Sequence, residues 1–115
     1  MLAKEFRLRK SVDIQHVFKR GRRIHSPSFS LIFLRNSENH GPRLAFVVSR
    51  AVSKRAVVRN TLRRRAREWV RKFALSSLSP LDIAVLFSKE APTVERKGLY
   101  KELEHAFSQI TKNRD

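Results

Sequence analysis

Residues 53–73, SKRAVVRNTLRRRAREWVRKF, form the longest stretch of helical periodicity in this chain. On a helix with about 100° per residue, the apolar side chains of this segment cover one arc of roughly 120°. These side chains are Val58, Leu62, Ala66, Trp69, Val70 and Phe73. The pattern predicts an amphipathic helix over residues 53–76 that packs its apolar side against a sheet.

A dense row of polar and basic side chains occupies the arc beside the apolar one. Its members are Asn60, Arg63, Arg64, Arg67 and Arg71, with Arg59 at the edge of the apolar arc and Arg65 and Lys72 on the other side. Within the segment, Glu68 alone offsets this charge. A helix that only has to be soluble interleaves Glu with Lys at i, i+4. Neighbouring arginines therefore favour a face that binds an anion over a face that is merely solvated.

The whole chain shares this imbalance of charge. Its 115 residues carry 26 Lys and Arg against 10 Asp and Glu, which gives a net charge of +16. Such charge repels itself, and phosphates relieve the repulsion while releasing condensed counterions. Arg outnumbers Lys by 17 to 9, and the guanidinium group grips phosphate with two hydrogen bonds and stacks on bases. Composition therefore points to a nucleic-acid partner.

Composition also excludes several classes. The chain has no cysteine, so it has neither a disulfide framework nor a zinc site built on thiolates. No apolar run approaches the roughly 20 residues that cross a bilayer, and the first ten residues lack the apolar core of a secretion signal. We expect a cytoplasmic protein without a membrane partner. It should form a single nucleic-acid-binding domain over residues 1–115, with residues 1–10 as a basic arm.

The elements before the basic helix follow from caps, breaks and β-forming runs. Residues 11–20 are predicted to be a helix, with Ser11 as its N-cap and Gly21 as its stop. Residues 28–34 and 44–49 are predicted strands. The turn formers at 36–42 suggest that these strands pair as an antiparallel hairpin with a long loop.

The elements after the basic helix are a buried strand and a last helix. The nearly continuous apolar run at 81–88 is typical of a buried strand, and Pro92 and Thr93 are predicted to open the last helix. The inward face of that helix is Leu99, Leu103, Ala106, Phe107 and Ile110. The order is α-β-β-α-β-α, with one more short strand near 24–26. This order predicts one α+β domain.

A second candidate surface involves the first helix and the first long strand. Phe18, with Ile14 one turn earlier, could face the exposed side of the sheet, and Ile32 could complete an apolar floor. Basic residues would rim this floor: Arg7, Arg9, Lys10, Lys19, Arg20, Arg22 and Arg23. An apolar floor with basic flanks suits unpaired nucleotides. The alternative, in which Phe18 and Ile32 are ordinary core residues, stays open.

Catalysis by the chain itself is not expected. The four histidines are scattered, and no serine lies in a nucleophile-elbow pattern. A nuclease that uses two metal ions needs several convergent carboxylates, and Asp82 is the one acid beside a predicted buried strand. Three other hypotheses remain: a structural RNA-binding protein such as a ribosomal protein, a DNA-binding module, and a nuclease that acts without RNA.

The basic segment closely resembles the motif helix of the bacterial ribonuclease P protein family. The motif lies in residues 56–64, AVVRNTLRR, followed by Arg67. The likeness continues in the same order along the chain: residues 6–10, Asp13, Val17, Phe18, Gly21, Phe29, Leu31, residues 42–50 and residues 82–89. Two positions depart from the family pattern. Thr61 replaces a basic residue and Ile14 replaces a phenylalanine, so we expect a lost peripheral contact and weaker base stacking.

The resemblance implies a fold and a division of labour. The fold would be α-β-β-β-α-β-α, with a four-stranded mixed sheet and a left-handed crossover through the motif helix, similar to domain 2 of ribosomal protein S5. The chain would be the protein component of an endoribonuclease that removes the 5′ leader of precursor tRNA. The RNA subunit would hold Mg²⁺ and carry out the hydrolysis, and the protein would bind no cofactor tightly. The expected partners are the catalytic RNA and precursor tRNA, with no protein partner evident.

The resemblance also implies roles for individual residues. Contacts with the catalytic RNA would come from Lys54, Arg55, Arg59, Asn60, Arg63, Arg64, Arg67 and Arg71. The 5′ leader would lie in a cleft between the sheet and the first helix. Its contacts would come from Arg7, Ile14, Phe18, Ile32, Arg50 and Lys89. No residue of the protein would be catalytic.

Overall fold

A computed structural model describes residues 2–35 and 41–112. Its helices are α1 (Ser11–Arg20), α2 (Ala56–Phe73) and α3 (Arg96–Lys112). Its strands are β1 (Arg22–His25), β2 (Phe29–Arg35), β3 (Arg43–Val47) and β4 (Leu81–Phe87). Short 3₁₀ turns lie at Lys4–Phe6, Leu75–Ser77 and Ala91–Thr93. Among the described helices, none is long and apolar enough to cross a membrane.

The four strands form one mixed sheet in the order β1-β2-β4-β3. β2 pairs antiparallel with both β1 and β4, and β3 pairs parallel with β4. The predicted α+β class with a four-stranded mixed sheet is therefore confirmed. The short extra strand predicted near 24–26 is β1, which lies slightly earlier in the chain.

The predicted hairpin between β2 and β3 is wrong, because β4 lies between these two strands. Six of the seven residues of β4 are buried, so this strand gains most by having a neighbour on each side. The tight hairpin joins β1 to β2 instead. Of the loop predicted at 36–42, residues 36–40 lie outside the described part of the chain.

The sheet separates two apolar layers. One face of β2 presents Phe29, Leu31 and Phe33, as predicted, and packs with β4 against α2 and α3. The predicted inward face of α3 is buried at all five positions: Leu99, Leu103, Ala106, Phe107 and Ile110. The opposite face of the sheet packs against α1, which buries Val17. The basic helix is thus anchored on one face, and the first helix covers the other.

Several predicted helix ends are corrected by the structure. α2 spans Ala56–Phe73 and is shorter than the predicted 53–76. At its start, Ser53 lies in a turn before the helix, where its Oγ accepts a hydrogen bond from the Arg55 N–H at 3.2 Å. Pro92 lies inside a separate 3₁₀ turn, Ala91–Thr93, and the backbone of Val94 after it is extended, so α3 begins only at Arg96. Lys10, not Ser11, is the N-cap of α1, and it makes no side-chain cap.

Gly21 ends α1 as predicted, but for a different reason. Its φ of −76° is ordinary extended backbone, so a left-handed stop is not needed. A Cβ at this position would lie 2.6 Å from Ile32 Cγ2 and 2.6 Å from the Val17 carbonyl oxygen. Glycine therefore lets the end of α1 approach β2 closely.

Two polar clusters hold the layers in place. Glu102 of α3 accepts hydrogen bonds from Ser26 Oγ at 2.6 Å, Ser28 N at 2.8 Å and Ser28 Oγ at 2.6 Å. Asp82 accepts two hydrogen bonds from the Arg43 guanidinium, at 2.9 and 2.7 Å. The first cluster joins α3 to the β1–β2 turn, and the second joins β3 to β4, so Asp82 has a structural role.

Candidate nucleic-acid interface

The arginine ridge on α2 is the most strongly charged feature of the molecule. Arg59, Arg63 and Arg67 follow one another at i, i+4 and i+8, so their side chains lie on one row of the helix. The pKa of Arg63 is lowered because burial removes hydration and because Arg59 and Arg67 repel its charge. The predicted row is therefore contiguous, and its members feel one another's charge.

The protein's own acids do not neutralise this ridge. Across residues 2–35 and 41–112, no carboxylate pairs with an arginine of α2, whereas Asp13 and Asp82 both pair with Arg43. Arg59 donates to the Ser53 carbonyl oxygen at 2.9 Å, and Arg63 donates to Asn60 Oδ1. Neutral acceptors orient these two guanidiniums but leave their charge uncompensated, as an anion-binding surface requires.

The remaining predicted members of the ridge are exposed to solvent. The exposed members are Lys54, Arg55, Asn60, Arg64 and Arg71. Thr61 donates its hydroxyl to the Val57 carbonyl oxygen at 2.8 Å. Its hydroxyl is therefore hydrogen-bonded within its own helix.

The N-terminal arm brings more guanidiniums to the ridge. The Leu8 N–H donates to the Leu44 carbonyl oxygen at 2.8 Å, and Arg7 forms an isolated parallel β-bridge with Leu44. The arm therefore runs along β3 at the edge of the sheet. Arg7 and Arg9 then line one cavity of about 200 Å³ together with Ile14, Arg63 and Arg67. The Nε of Arg7 is buried without a hydrogen-bond partner in the described part of the chain. Arg7, predicted for the leader, therefore lies beside the ridge, where the two predicted surfaces meet.

The predicted apolar floor is only partly open. Ile32 is 0% exposed and packs with Val17, Ala45 and Ala84 beneath α1. It therefore supports the surface from below and cannot touch a ligand on this face. Ile14 and Phe18 are half-buried on the flank of α1, so each keeps part of its side chain available.

Sequence reasoning missed the residues that form the open floor. Val47, Leu86, Ser30 and His25 are partners in register across the four strands. Val47, Leu86 and Ser30 are half-buried and His25 is exposed, with 3.1 Å between His25 Nδ1 and Ser30 Oγ. The apolar run of β4 does not reveal which of its residues faces which layer. Only the strand pairing shows that these four side chains form one row.

Arg50 and Lys89 lie at the same end of this floor. Val47 of β3 pairs with Leu86 of β4, and Arg50 and Lys89 each come three residues later, just past the ends of these parallel strands. Both residues are exposed. The cleft is therefore an apolar and polar row with α1 on one side and two exposed cations just past the carboxyl ends of β3 and β4.

The structure offers no cluster of metal ligands in its described residues. In residues 2–35 and 41–112, no group of three or more His, Cys, Asp or Glu side chains is placed to hold a metal ion. The chemistry that this geometry supports is binding of phosphates along α2 and of unpaired nucleotides in the cleft.

Comparison with known proteins identifies relatives over almost the entire chain. The family model described as Ribonuclease P matches residues 2–111. The ribonuclease P protein component of Aliivibrio salmonicida is 32% identical over 110 residues, which cover 96% of this chain and 92% of the relative. That of an Exiguobacterium species is 30% identical and covers 92% of this chain and 90% of the relative.

Solved structures share the fold. The RNase P protein of Staphylococcus aureus superposes with a TM-score of 0.84 at 27% identity, covering 96% of this chain and 98% of that chain. The RNase P protein of Thermotoga maritima gives a TM-score of 0.79 at 28% identity, covering 90% and 96%. Since the family model, the relatives and the fold agree over nearly all residues, this chain belongs to the ribonuclease P protein family.

Proposed function

We propose that this chain is the protein subunit of a ribonuclease P, and that it binds a catalytic RNA and the 5′ leader of precursor tRNA. The observation that carries the proposal is the uncompensated row of Arg59, Arg63 and Arg67 on α2, in a chain of this family. A row of like charges destabilises a helix unless an anion lies against it. Folded RNA supplies phosphates that can neutralise such a row.

In this proposal the ridge is the docking surface for the catalytic RNA. Arg63 is oriented by Asn60, and Arg59 by the Ser53 carbonyl oxygen, so less side-chain freedom is lost when phosphate binds. The contacting residues are Lys54, Arg55, Arg59, Asn60, Arg63, Arg64, Arg67 and Arg71. Phosphate contacts of this kind set orientation and affinity, and they read little sequence.

The cleft on the other face is the proposed site for the leader. Single-stranded RNA can stack a base on Phe18 and lie across Val47 and Leu86, while Arg50 and Lys89 hold phosphates beyond the floor. Arg7, at the seam with the ridge, is positioned to join the two surfaces. Mature tRNA lacks the leader, so these contacts favour the precursor over the product.

The proposed division of labour leaves the hydrolysis, and the Mg²⁺ that it uses, with the RNA subunit. The protein contributes position and charge: it orients the leader and screens repulsion between two RNAs, which lowers the Mg²⁺ concentration that cleavage requires. A cytoplasmic location follows from the precursor-tRNA substrate.

Reconstitution with the host's catalytic RNA at low Mg²⁺ tests the proposal. We expect the protein to restore cleavage of precursor tRNA and to bind precursors with leaders better than leaderless tRNA. Equal improvement for leaderless tRNA would exclude the leader cleft. Failure to restore cleavage, with co-sedimentation on ribosomes, would favour a structural RNA-binding protein, and cleavage without the RNA subunit would indicate a nuclease that acts alone.

A further inference from the structure

The turn of residues 26–28 joins β1 to β2 at one end of the open floor. His25 and Ser30 flank this turn, and they form the polar end of the row that crosses the four strands. Ser28, within the turn, is 0% exposed, so the turn is packed into the molecule. Because it borders the proposed leader site, the contacts that hold it in place matter for leader binding.

Glu102 holds this turn from the opposite side of the sheet. It lies on α3, 74 residues after Ser28. Its Oε1 accepts hydrogen bonds from Ser26 Oγ at 2.6 Å and from the Ser28 N–H at 2.8 Å, and its Oε2 accepts one from Ser28 Oγ at 2.6 Å. Hydrogen bonds to a carboxylate are about twice as strong as those between neutral groups. The turn is therefore fixed by a helix that contributes none of the residues proposed to line the cleft.

A single peptide group, the one between Pro27 and Ser28, connects Glu102 to Ser88. Its N–H is the Ser28 N–H that donates to Glu102, and its carbonyl oxygen, that of Pro27, accepts a hydrogen bond from Ser88 Oγ at 2.8 Å. A peptide group is planar, so its N–H and its carbonyl cannot reorient independently. Glu102 therefore also aims the carbonyl at Ser88, and hydrogen bonds in such a chain strengthen one another.

Ser88 in turn fixes the segment that carries Lys89. The Ser88 N–H donates to the Ser28 carbonyl oxygen at 2.9 Å, so two successive carbonyls of the turn hold this one residue. The Ala91 N–H donates to the Ser88 carbonyl oxygen at 3.1 Å, and Ala91 is buried. Lys89 is exposed between these two anchors. Because a lysine side chain is flexible, an anchored backbone limits the freedom that is lost when its ammonium group binds a phosphate.

We propose that Glu102 is a positioning residue for the 5′ leader, which acts through the turn of residues 26–28 and Ser88 to hold Lys89 at the end of the cleft. This role rests on the proposed function, in which Lys89 binds a leader phosphate. Glu102 touches no RNA in this arrangement, since its carboxylate would repel phosphate and both of its oxygens accept hydrogen bonds from the turn.

Glu102→Ala separates position from charge, because the two predict opposite effects. Removal of a carboxylate from a chain with a net charge of +16 should by charge alone strengthen RNA binding. Positioning predicts that precursor tRNA with a leader binds the reconstituted complex about two- to tenfold more weakly. Leaderless tRNA should lose no affinity. Equilibrium binding of the two RNAs to the complex with the catalytic RNA measures the contrast.

Two further variants control for charge. Glu102→Gln changes the charge as Glu102→Ala does, but it keeps a side-chain oxygen for the Ser28 N–H and should restore most of the leader affinity. Glu104→Gln removes an exposed carboxylate from the same helix, and it should weaken the binding of neither RNA. Thermal unfolding checks that each variant is folded.

A double-mutant cycle tests the connection to Lys89. Lys89→Ala should weaken leader binding directly, and in that background Glu102→Ala should cause no further loss, since the side chain that it positions is absent. Ser88→Ala removes only the surface hydrogen bond to the Pro27 carbonyl oxygen and should give a smaller loss that is again specific for the leader. This variant provides the test if Glu102→Ala does not fold.

Four results would overturn this role. Equal losses for precursor and leaderless tRNA would mean that Glu102 acts through the stability of the fold. Unchanged leader affinity in Glu102→Ala, and losses that add to those of Lys89→Ala, would each contradict positioning of Lys89. If Lys89→Ala binds the leader like the parent chain, the role is excluded, but the proposed function stands as long as the parent complex favours precursor over leaderless tRNA.

Discussion

The two faces of the sheet differ in how completely they are covered. α2 and α3 together close one face, and its core residues Leu31, Ile83 and Leu103 are fully buried. On the other face, α1 alone covers the row that contains Ile32 and leaves Val47 and Leu86 half-exposed. The strands present apolar side chains to both faces, so composition does not distinguish the two.

This difference shows that the number of helices over a face decides whether it is a core or a candidate site. A ten-residue helix is about 15 Å long, whereas the seven-residue strands β2 and β4 are each about 23 Å long, so part of the apolar face beneath α1 remains open. The resulting floor adjoins the arginine ridge through the seam at Arg7. The molecule therefore combines an incompletely covered sheet face with an adjoining helix whose arginines are not paired with carboxylates in the described residues.

The largest expected effect is a difference in stability between a variant of the closed face and a variant of the open face. Leu103→Ala on the closed face removes a fully buried side chain and should cost about 2–5 kcal/mol in the free energy of unfolding. Val47→Ala on the open face should cost about 1 kcal/mol, because its methyl groups are already partly in water. Urea denaturation of both variants at one salt concentration measures the difference. Equal losses would show that the open face is packed as tightly as the closed one.

A smaller effect concerns binding on the open face. Phe18→Ala should weaken binding of precursor tRNA to the reconstituted complex by about tenfold, because a stacking surface for the leader is lost. Leaderless tRNA should bind as it does to the parent chain, which serves as the matched control. If both RNAs lose affinity equally, Phe18 acts through the packing of α1 and not through the leader.

The smallest expected effect is a change in salt dependence at the ridge. Arg67→Ala should reduce the slope of log K against log salt for the catalytic RNA by about one phosphate contact. Arg64→Ala should behave in the same way. Arg96→Ala, at the start of α3, removes the same charge away from the ridge and should leave the slope nearly unchanged. An identical change in all three variants would mean that net charge, and not contact, controls binding.

Sequence could predict the ridge because its geometry is local. The angular spacing of a helix places Arg59, Arg63 and Arg67 on one row whatever the rest of the chain does. The same periodicity predicted the inward face of α3. It failed at Phe73, which is 67% exposed although the next residue, Ala74, is buried. Periodicity gives the direction of a side chain around a helix, but not whether another element covers that direction.

Strand neighbours could not be predicted in this way. The segments of β2 and β3 are consecutive and separated by turn formers, so a hairpin was the simplest pairing. The insertion of β4 depends on the burial that a central strand gains from both sides, which is a property of the assembled sheet. The open floor of Val47, Leu86 and Ser30 depends on that register and was missed with it.

By itself, the sequence predicted a nucleic-acid partner and determined the amphipathic basic helix and the α+β composition, because charge, periodicity and β propensity act over a few residues. Tertiary structure alone decided which strands are neighbours, how α1 leaves a row uncovered, and that the Phe73 ring stays exposed. These features arise from packing between segments that are distant in the chain. Such packing depends on the shape and coverage of whole layers, which no local pattern contains.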